Sequence, residues 1–222
     1  VRRYEELISG TAGSLFFYRS ATSLPAALPL LAAKYVLNFN STPPDPRQFD
    51  LVYSNQITIY QNTRFQGRAL TVFNYDVAPA SSILATIRSG SFNPTDTLLL
   101  EGQPPQPPPS VPASAISTAR ANASAHVISE QPDEVTVNVS MPRPGFLLLL
   151  DTYYPGWKAT VNGTKAPILR ADYDFRAVQL PAGESTVQFV YQPAVFRWGI
   201  LIFCLGLAIM AAMVWGKFKR HA

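Results

Sequence analysis

The chain has 222 residues, 47% of them apolar and 14% charged, with a formal net charge of +4. An average soluble protein is about 25% charged, so a disordered, solvated chain is excluded. Nucleic acid is excluded as a partner too, because three of the cations lie in the last six residues and no basic stripe interleaves with aromatics.

The single cysteine, Cys204, rules out an intrachain disulfide and a thiolate metal cage. Twenty prolines point to many loops and strand edges, where a missing N–H does least harm. Four N-x-S/T sequons, at Asn40, Asn122, Asn138 and Asn162, fit chance in a Ser- and Thr-rich chain as well as glycosylation.

The first residues, VRRYEELISG, have no apolar h-region and form no signal peptide. Residues 24–37, LPAALPLLAAKYVL, predict a short helix or turn leading into a buried strand at 34–37. They are too short, and too broken by Pro25 and Pro29, to span a membrane. A loop follows at 41–47, then strands at 51–60 and 68–73, rich in β-branched and aromatic residues. At 79–90 a Ser pair caps a two-turn helix that Gly90 stops, and 96–101 is another short strand. Residues 1–102 thus read as a small mixed α/β segment. Six prolines within 103–112 make a stiff extended connector and the expected domain boundary.

Beyond it, strands are expected at 114–120, 123–129, 134–140, 145–151, 157–161, 165–170, 174–180 and 185–191. Asn162-Gly163 is a strong short-range hairpin turn, and Ala182-Gly183 supplies a second. Val187, Phe189 and Tyr191 alternate with polar residues, as in a strand with one wet face. FLLLLD (146–151) does not alternate, which suits a central strand covered on both faces. The fold class is therefore mainly β, with an antiparallel sandwich or jelly roll over 113–194.

Eighteen residues from Trp198 to Trp215 carry no charge. That length crosses a hydrocarbon core of about 30 Å, so 195–216 is the expected transmembrane helix. Trp198 and Trp215 mark its headgroup belts, and Lys217, Lys219 and Arg220 outnumber Arg197, placing the tail 217–222 in the cytoplasm. The bulk of the chain then lies outside, with the lipid bilayer as its partner. Since no signal peptide exports it, the expectation is the C-terminal end of a longer multi-span protein whose upstream transmembrane helices are further partners.

PGFLLLLDTYYPGWKATVNGTKAPILRADYDFRAVQLPAGESTVQFVYQP, followed by an apolar helix, resembles the C-terminal region of the bacterial YfhO-type membrane proteins. LLAAKYVL, ITIYQNTRFQGRALTVF and SFNPTDTLLLE resemble that family's segments in the same order. One departure is Gly67-Arg68-Ala69, where relatives often have Pro before the "RA" strand. The resemblance implies a polytopic glycosyltransferase C-type protein that moves a sugar from a polyprenyl-phosphate carrier to a cell-envelope polymer. It also implies a catalytic acidic residue in an early outside loop that this chain does not contain, so no catalytic residue carries over. A free-standing anchored module that binds envelope glycans, or a purely structural domain, is the alternative.

Enzyme motifs are missing: there is no G-x-G-x-x-G, Walker loop or H-E-x-x-H, and no cofactor is implied. Asp172-Tyr173-Asp174 mimics a metal-binding D-x-D, but the pattern is common by chance and no metal ligand set is assigned. The residues that suit a ligand are Tyr153, Tyr154, Trp157, Arg170, Tyr173 and Arg176. Rings stack on sugar faces and an arginine fork grips phosphate, so Tyr154, Trp157, Arg170, Tyr173 and Arg176 are the candidate glycan- or phosphate-binding set. Against this stands packing: the rings close the sandwich end, and the arginines satisfy Asp151, Asp172 or strand carbonyls.

Overall fold

The computed structural model describes residues 3, 6–7, 28–38, 44–90, 92–109 and 112–221. Of the segment expected at 24–37, the described part is a 3-10 turn at Leu28–Leu31 and strand β1, Tyr35–Asn38. The expected strand 51–60 is two: β2 (Phe49–Ser54) and β3 (Thr58–Asn62) fold back on each other and, with β1, form a three-stranded antiparallel sheet. The turn between them, Asn55–Ile57, holds neither Gly nor Pro and so gave no signal.

Two larger sheets form the body. The six-stranded sheet runs in the order β4 (Ala69–Val72), β9 (Gly145–Thr152), β13 (Phe175–Leu180), β12 (Leu169–Ala171), β6 (Leu98–Leu100), β5 (Tyr75–Val77). All its pairings are antiparallel except β5 with β6. The five-stranded sheet runs β11 (Thr164–Ala166), β10 (Trp157–Val161), β14 (Gly183–Tyr191), β8 (Glu134–Met141), β7 (Ser124–Gln131). A mainly β, sandwich-like architecture follows. The proline-rich stretch does not divide the strands into separate sheets: β4, β5 and β6 precede it, and β9, β12 and β13 follow it, within one sheet.

Alternation on β9 explains the layers. Leu147 and Leu149 face the five-stranded sheet and meet Val135, Val137, Val187 and Phe189. Phe146, Leu148 and Leu150 face the other way, against Ile83 and Ile87 of helix α1 (Ala80–Arg88). This is why the segment reads as an unbroken apolar run: both of its faces are buried. Helix α1 begins at Pro79 without a side-chain cap, so the serines expected to cap it lie inside it; Gly90, at φ +78°, follows its end.

The strand expected at 114–120 is instead helix α2, Ala113–Ala121. Its alanines favour helix, and Ile116 and Ala119, three apart, share the face buried between the sheets. The strand expected at 165–170 breaks at Pro167, whose missing N–H ends β11; β12 then joins the other sheet. Asn162 and Gly163, both with positive φ, make the expected hairpin turn.

Helix α3 covers Ala194–His221. Val195, Phe196, Trp198, Ile200, Ile202, Phe203, Leu205, Leu207, Ile209 and Met210 are exposed on all its sides. Among the described residues, no helix is long and apolar enough to cross a membrane. The expected span at 195–216 is thus a helix here, without a demonstrated crossing. The side chains of Trp215, Lys217, Lys219 and Arg220 lie outside the described residues.

Candidate functional site

The strand registers gather one end of the sandwich. Thr152 at the end of β9 is opposite Phe175 at the start of β13, and Trp157 at the start of β10 is opposite Tyr191 at the end of β14. The Tyr191 N–H donates to the Asp133 carbonyl in the β7–β8 turn, at 2.8 Å. The same end therefore holds the Tyr153–Gly156 corner, the Asp172–Asp174 turn, the approach to β4 at Arg68 and the departure of α3 after Tyr191.

At this corner the chain needs Gly156. Its φ is +109°, and an added Cβ would lie 2.8 Å from the Tyr191 ring and 3.2 Å from Pro193 Cα. Tyr191 packs between the corner residues, its ring centroid 5.4 Å from that of Trp157 and 6.2 Å from that of Tyr154. The Tyr154 ring is 52% exposed, while Tyr153 and Trp157 are half-buried.

Beneath Trp157 runs a line of charge. Arg176 is 2% exposed and donates through Nη2 to Asp151, and its guanidinium lies 3.9 Å from the Trp157 ring centroid. Arg68 donates to the same carboxylate, with Nη2 at 2.8 Å from Oδ2, and through Nη1 to Glu130. Burial pulls the Arg176 pKa down to about 10, opposed by Asp151, so it stays charged near neutrality. Hydrogen bonding to Asp151 holds the Arg68 charge more firmly than usual. Arg170, opposite Arg176 in register, stacks on Tyr153 at 4.4 Å.

Of the sequence-predicted set, Tyr154, Trp157, Arg170 and Arg176 come together. Arg176 acts from inside, as a prop for Trp157. Tyr173 goes elsewhere: it is buried on the α1 side of the six-stranded sheet, donates its hydroxyl to Glu6, and carries Arg3 over its ring at 5.1 Å.

The Asp172–Asp174 turn is a structural device. Asp172 and Tyr173 both have positive φ, +46° and +78°, at a cost of about 1–2 kcal/mol each for a residue with a Cβ. Asp172 extends the β6–β12 ladder, its N–H donating to Leu99 O and its Oδ1 accepting from Leu99 N–H, each at 2.8 Å. Among the described residues, Oδ2 of both Asp172 and Asp174 has no partner. Burial raises Asp172 to about 8; burial, opposed by Arg170 and Arg3, raises Asp174 to about 6. Among the described residues no group of three His, Cys, Asp or Glu could hold a metal ion.

A pH dependence follows from Asp172. Its folded pKa exceeds the unfolded value of about 3.9, so the folded chain keeps a proton that the unfolded chain releases. Stability therefore falls as pH rises between about 4 and 8. Urea midpoints at pH 5 and pH 8.5 are expected to drop more in the unaltered chain than in Asp172→Asn; equal drops would show that Asp172 does not carry the effect.

Beside the corner, a cleft of about 700 Å³ is lined by Tyr153, Trp157, Lys158, Lys165, Gln188 and Gln192 among others. Thr160 pairs with Lys165 and Gln188, which sets these polar side chains on the wet face of the five-stranded sheet. Lys158 Nζ donates to Gln192 Oε1 at 3.1 Å. Sequence reasoning missed Lys158, Lys165 and Tyr191; counting outward from the Asn162-Gly163 turn pairs Thr160 with Lys165 and would have found the lysines. The cleft offers ring faces, two ammonium groups and amide donors, which suits binding of a hydroxylated or anionic chain.

The molecule is thus a β-sandwich-like domain with an apolar helix leaving the end that carries an aromatic, cationic cleft. Residues 114–203 match the model of a family described as bacterial membrane protein YfhO. No curated protein and no solved structure matches the chain.

Proposed function

We propose that the chain is an extracytoplasmic β domain, with the membrane span that follows it, of a YfhO-type protein. It assists transfer of sugars from a polyprenyl-phosphate carrier to cell-envelope polymers without supplying the catalytic group. The observation that carries this reading is the shared end: α3 leaves the sandwich where Tyr153, Tyr154 and Trp157 sit, so an anchored domain holds its cleft at the bilayer surface. A lipid-linked donor and a polymer at the membrane meet there.

Support for the anchor is the exposure of apolar side chains all round α3, a pattern that suits lipid better than water. In that arrangement α3 is a membrane span, with 217–222 in the cytoplasm. Trp198 and Trp215 lie in the headgroup layers, and Lys217, Lys219 and Arg220 hold the inner surface. Tyr154 and Trp157 stack on sugar rings, Lys158 and Lys165 meet phosphate, and Arg170 and Arg176 brace Tyr153 and Trp157 from behind.

The test is binding of a glycosylated polyol-phosphate polymer by the intact chain in detergent micelles. Truncating Trp157 to Ala is expected to weaken binding about 10-fold, which corresponds to about 1.4 kcal/mol, because the ring on which a sugar face stacks is lost. Lys158→Ala with Lys165→Ala is expected to remove most of its salt dependence. Binding unchanged by all three substitutions would sink the cleft as the site.

A further inference from the structure

We infer that the three-stranded sheet β1–β3 rests in the headgroup layer of the same bilayer, as a second, peripheral lipid contact; this rests on the membrane reading of α3. Tyr35, Leu37, Leu51, Val52, Tyr53 and Ile57 are each 37–58% exposed, all within 23 residues of sequence. Isolated exposed apolar residues are ordinary, but a cluster of this size marks an interaction surface.

The registers show what kind of partner it fits. Leu37, Ile59 and Tyr53 form one cross-strand row, and Val36, Tyr60 and Leu51 form the next. Successive rows point to opposite faces, so apolar side chains project on both sides of the sheet. A second copy or another rigid partner laid on one face would leave the other wet. A fluid lipid boundary closes around both.

Position agrees. Residues 63–68 join the sheet to β4, and six residues reach no farther than about 20 Å. They join at the end from which α3 leaves, where Leu150 N–H donates to Arg68 O at 2.8 Å. Tyrosines prefer the water–lipid boundary, and here there are Tyr35, Tyr53 and Tyr60. Lys34, Arg47 and Arg64 are exposed around them, against Asp45 and Asp50. Arg47 and Asp45 pair at 2.9 Å, and Lys34 lies over the Tyr35 ring at 5.4 Å. The net cationic rim suits anionic headgroups.

The experiment places a bimane label on Leu51→Cys, Glu184→Cys or Phe203→Cys, each in a Cys204→Ser background. The full chain is reconstituted in phosphatidylcholine–phosphatidylglycerol vesicles containing nitroxide lipids. Glu184 lies at the opposite end of the sandwich, beside the β13–β14 turn, and is exposed. The expected result is loss of fluorescence at 203 with mid-chain nitroxide, loss at 51 with headgroup nitroxide, and none at 184. Val52→Cys gives a second reading of the sheet should a label at 51 disturb it. Quenching at 203 with both 51 and 52 as bright as 184 would overturn the lipid contact alone. Labels at 51 and 52 shielded from aqueous iodide yet untouched by lipid nitroxide would also overturn it, in favour of a protein partner. A bright 203 would overturn the membrane reading and this inference together.

Discussion

Asp151→Ala is expected to cost about 3–5 kcal/mol of folding stability, the usual result of stranding a buried charge. The carboxylate receives Arg176 on one side and Arg68 on the other. The Arg176 side chain is 3% exposed, and its Nε and Nη1 have no hydrogen-bond partner among the described residues. Without Asp151 nothing offsets its desolvation except the ring faces of Trp157 and Phe189, worth about 1–2 kcal/mol together. Removing Glu130, 60% exposed on the far side of Arg68, should cost no more than about 1 kcal/mol. Urea unfolding of the full chain in micelles measures both. In the double variant Asp151→Ala, Arg176→Met most of the loss should return, because an apolar replacement needs no counter-charge. A loss in Asp151→Ala no larger than that for Glu130→Ala would mean that water, not Asp151, compensates Arg176.

Phe146→Ala is the other large effect, about 3–5 kcal/mol for an aromatic removed from a packed core. Phe146 is fully buried on the α1 side of β9 and meets Tyr75 edge to face at 5.6 Å. The cavity would open between the central strand and α1, where backbone pairing to β4 and β13 prevents collapse. A thermal scan reads the loss directly. Trp157→Ala, at a half-buried position, should cost less in stability while costing more in ligand binding; that contrast separates packing from recognition.

These two sites show where sequence was informative. FLLLLD announces a doubly covered strand because five apolar residues in succession leave no wet face, and the register bears this out. Asn162-Gly163 specifies its turn locally, through two residues that tolerate positive φ. The long-range pairings had no such signature. Nothing near Leu70 or Leu100 tells that β4 will add to β9 or that β6 will meet β12 across the proline-rich stretch. Residues 114–120 do not alternate: Ala115, Ile116 and Ala119 fall at helical spacing, and the slot between the sheets accepts the Ile116–Ala119 face.

The candidate site was half legible for the same reason. Aromatics clustered in one short corner stay together whatever the fold does, so Tyr154 and Trp157 were found. Tyr173 was lost because a left-handed turn of two non-glycine residues carried it to the other face of the sheet. Arg176 bonds to Asp151, the partner that the packing alternative names, but nothing local tells that Arg68, distant in sequence, shares the same carboxylate.

We propose that the sandwich stands outside the membrane on α3. The most direct test is thiol labelling in intact bacterial cells, with Cys204→Ser chains carrying either Glu184→Cys or Lys219→Cys. A membrane-impermeant maleimide is predicted to label position 184 at once and position 219 only after the membrane is permeabilised. Labelling of 219 in intact cells, or protection of 184 until permeabilisation, would contradict it.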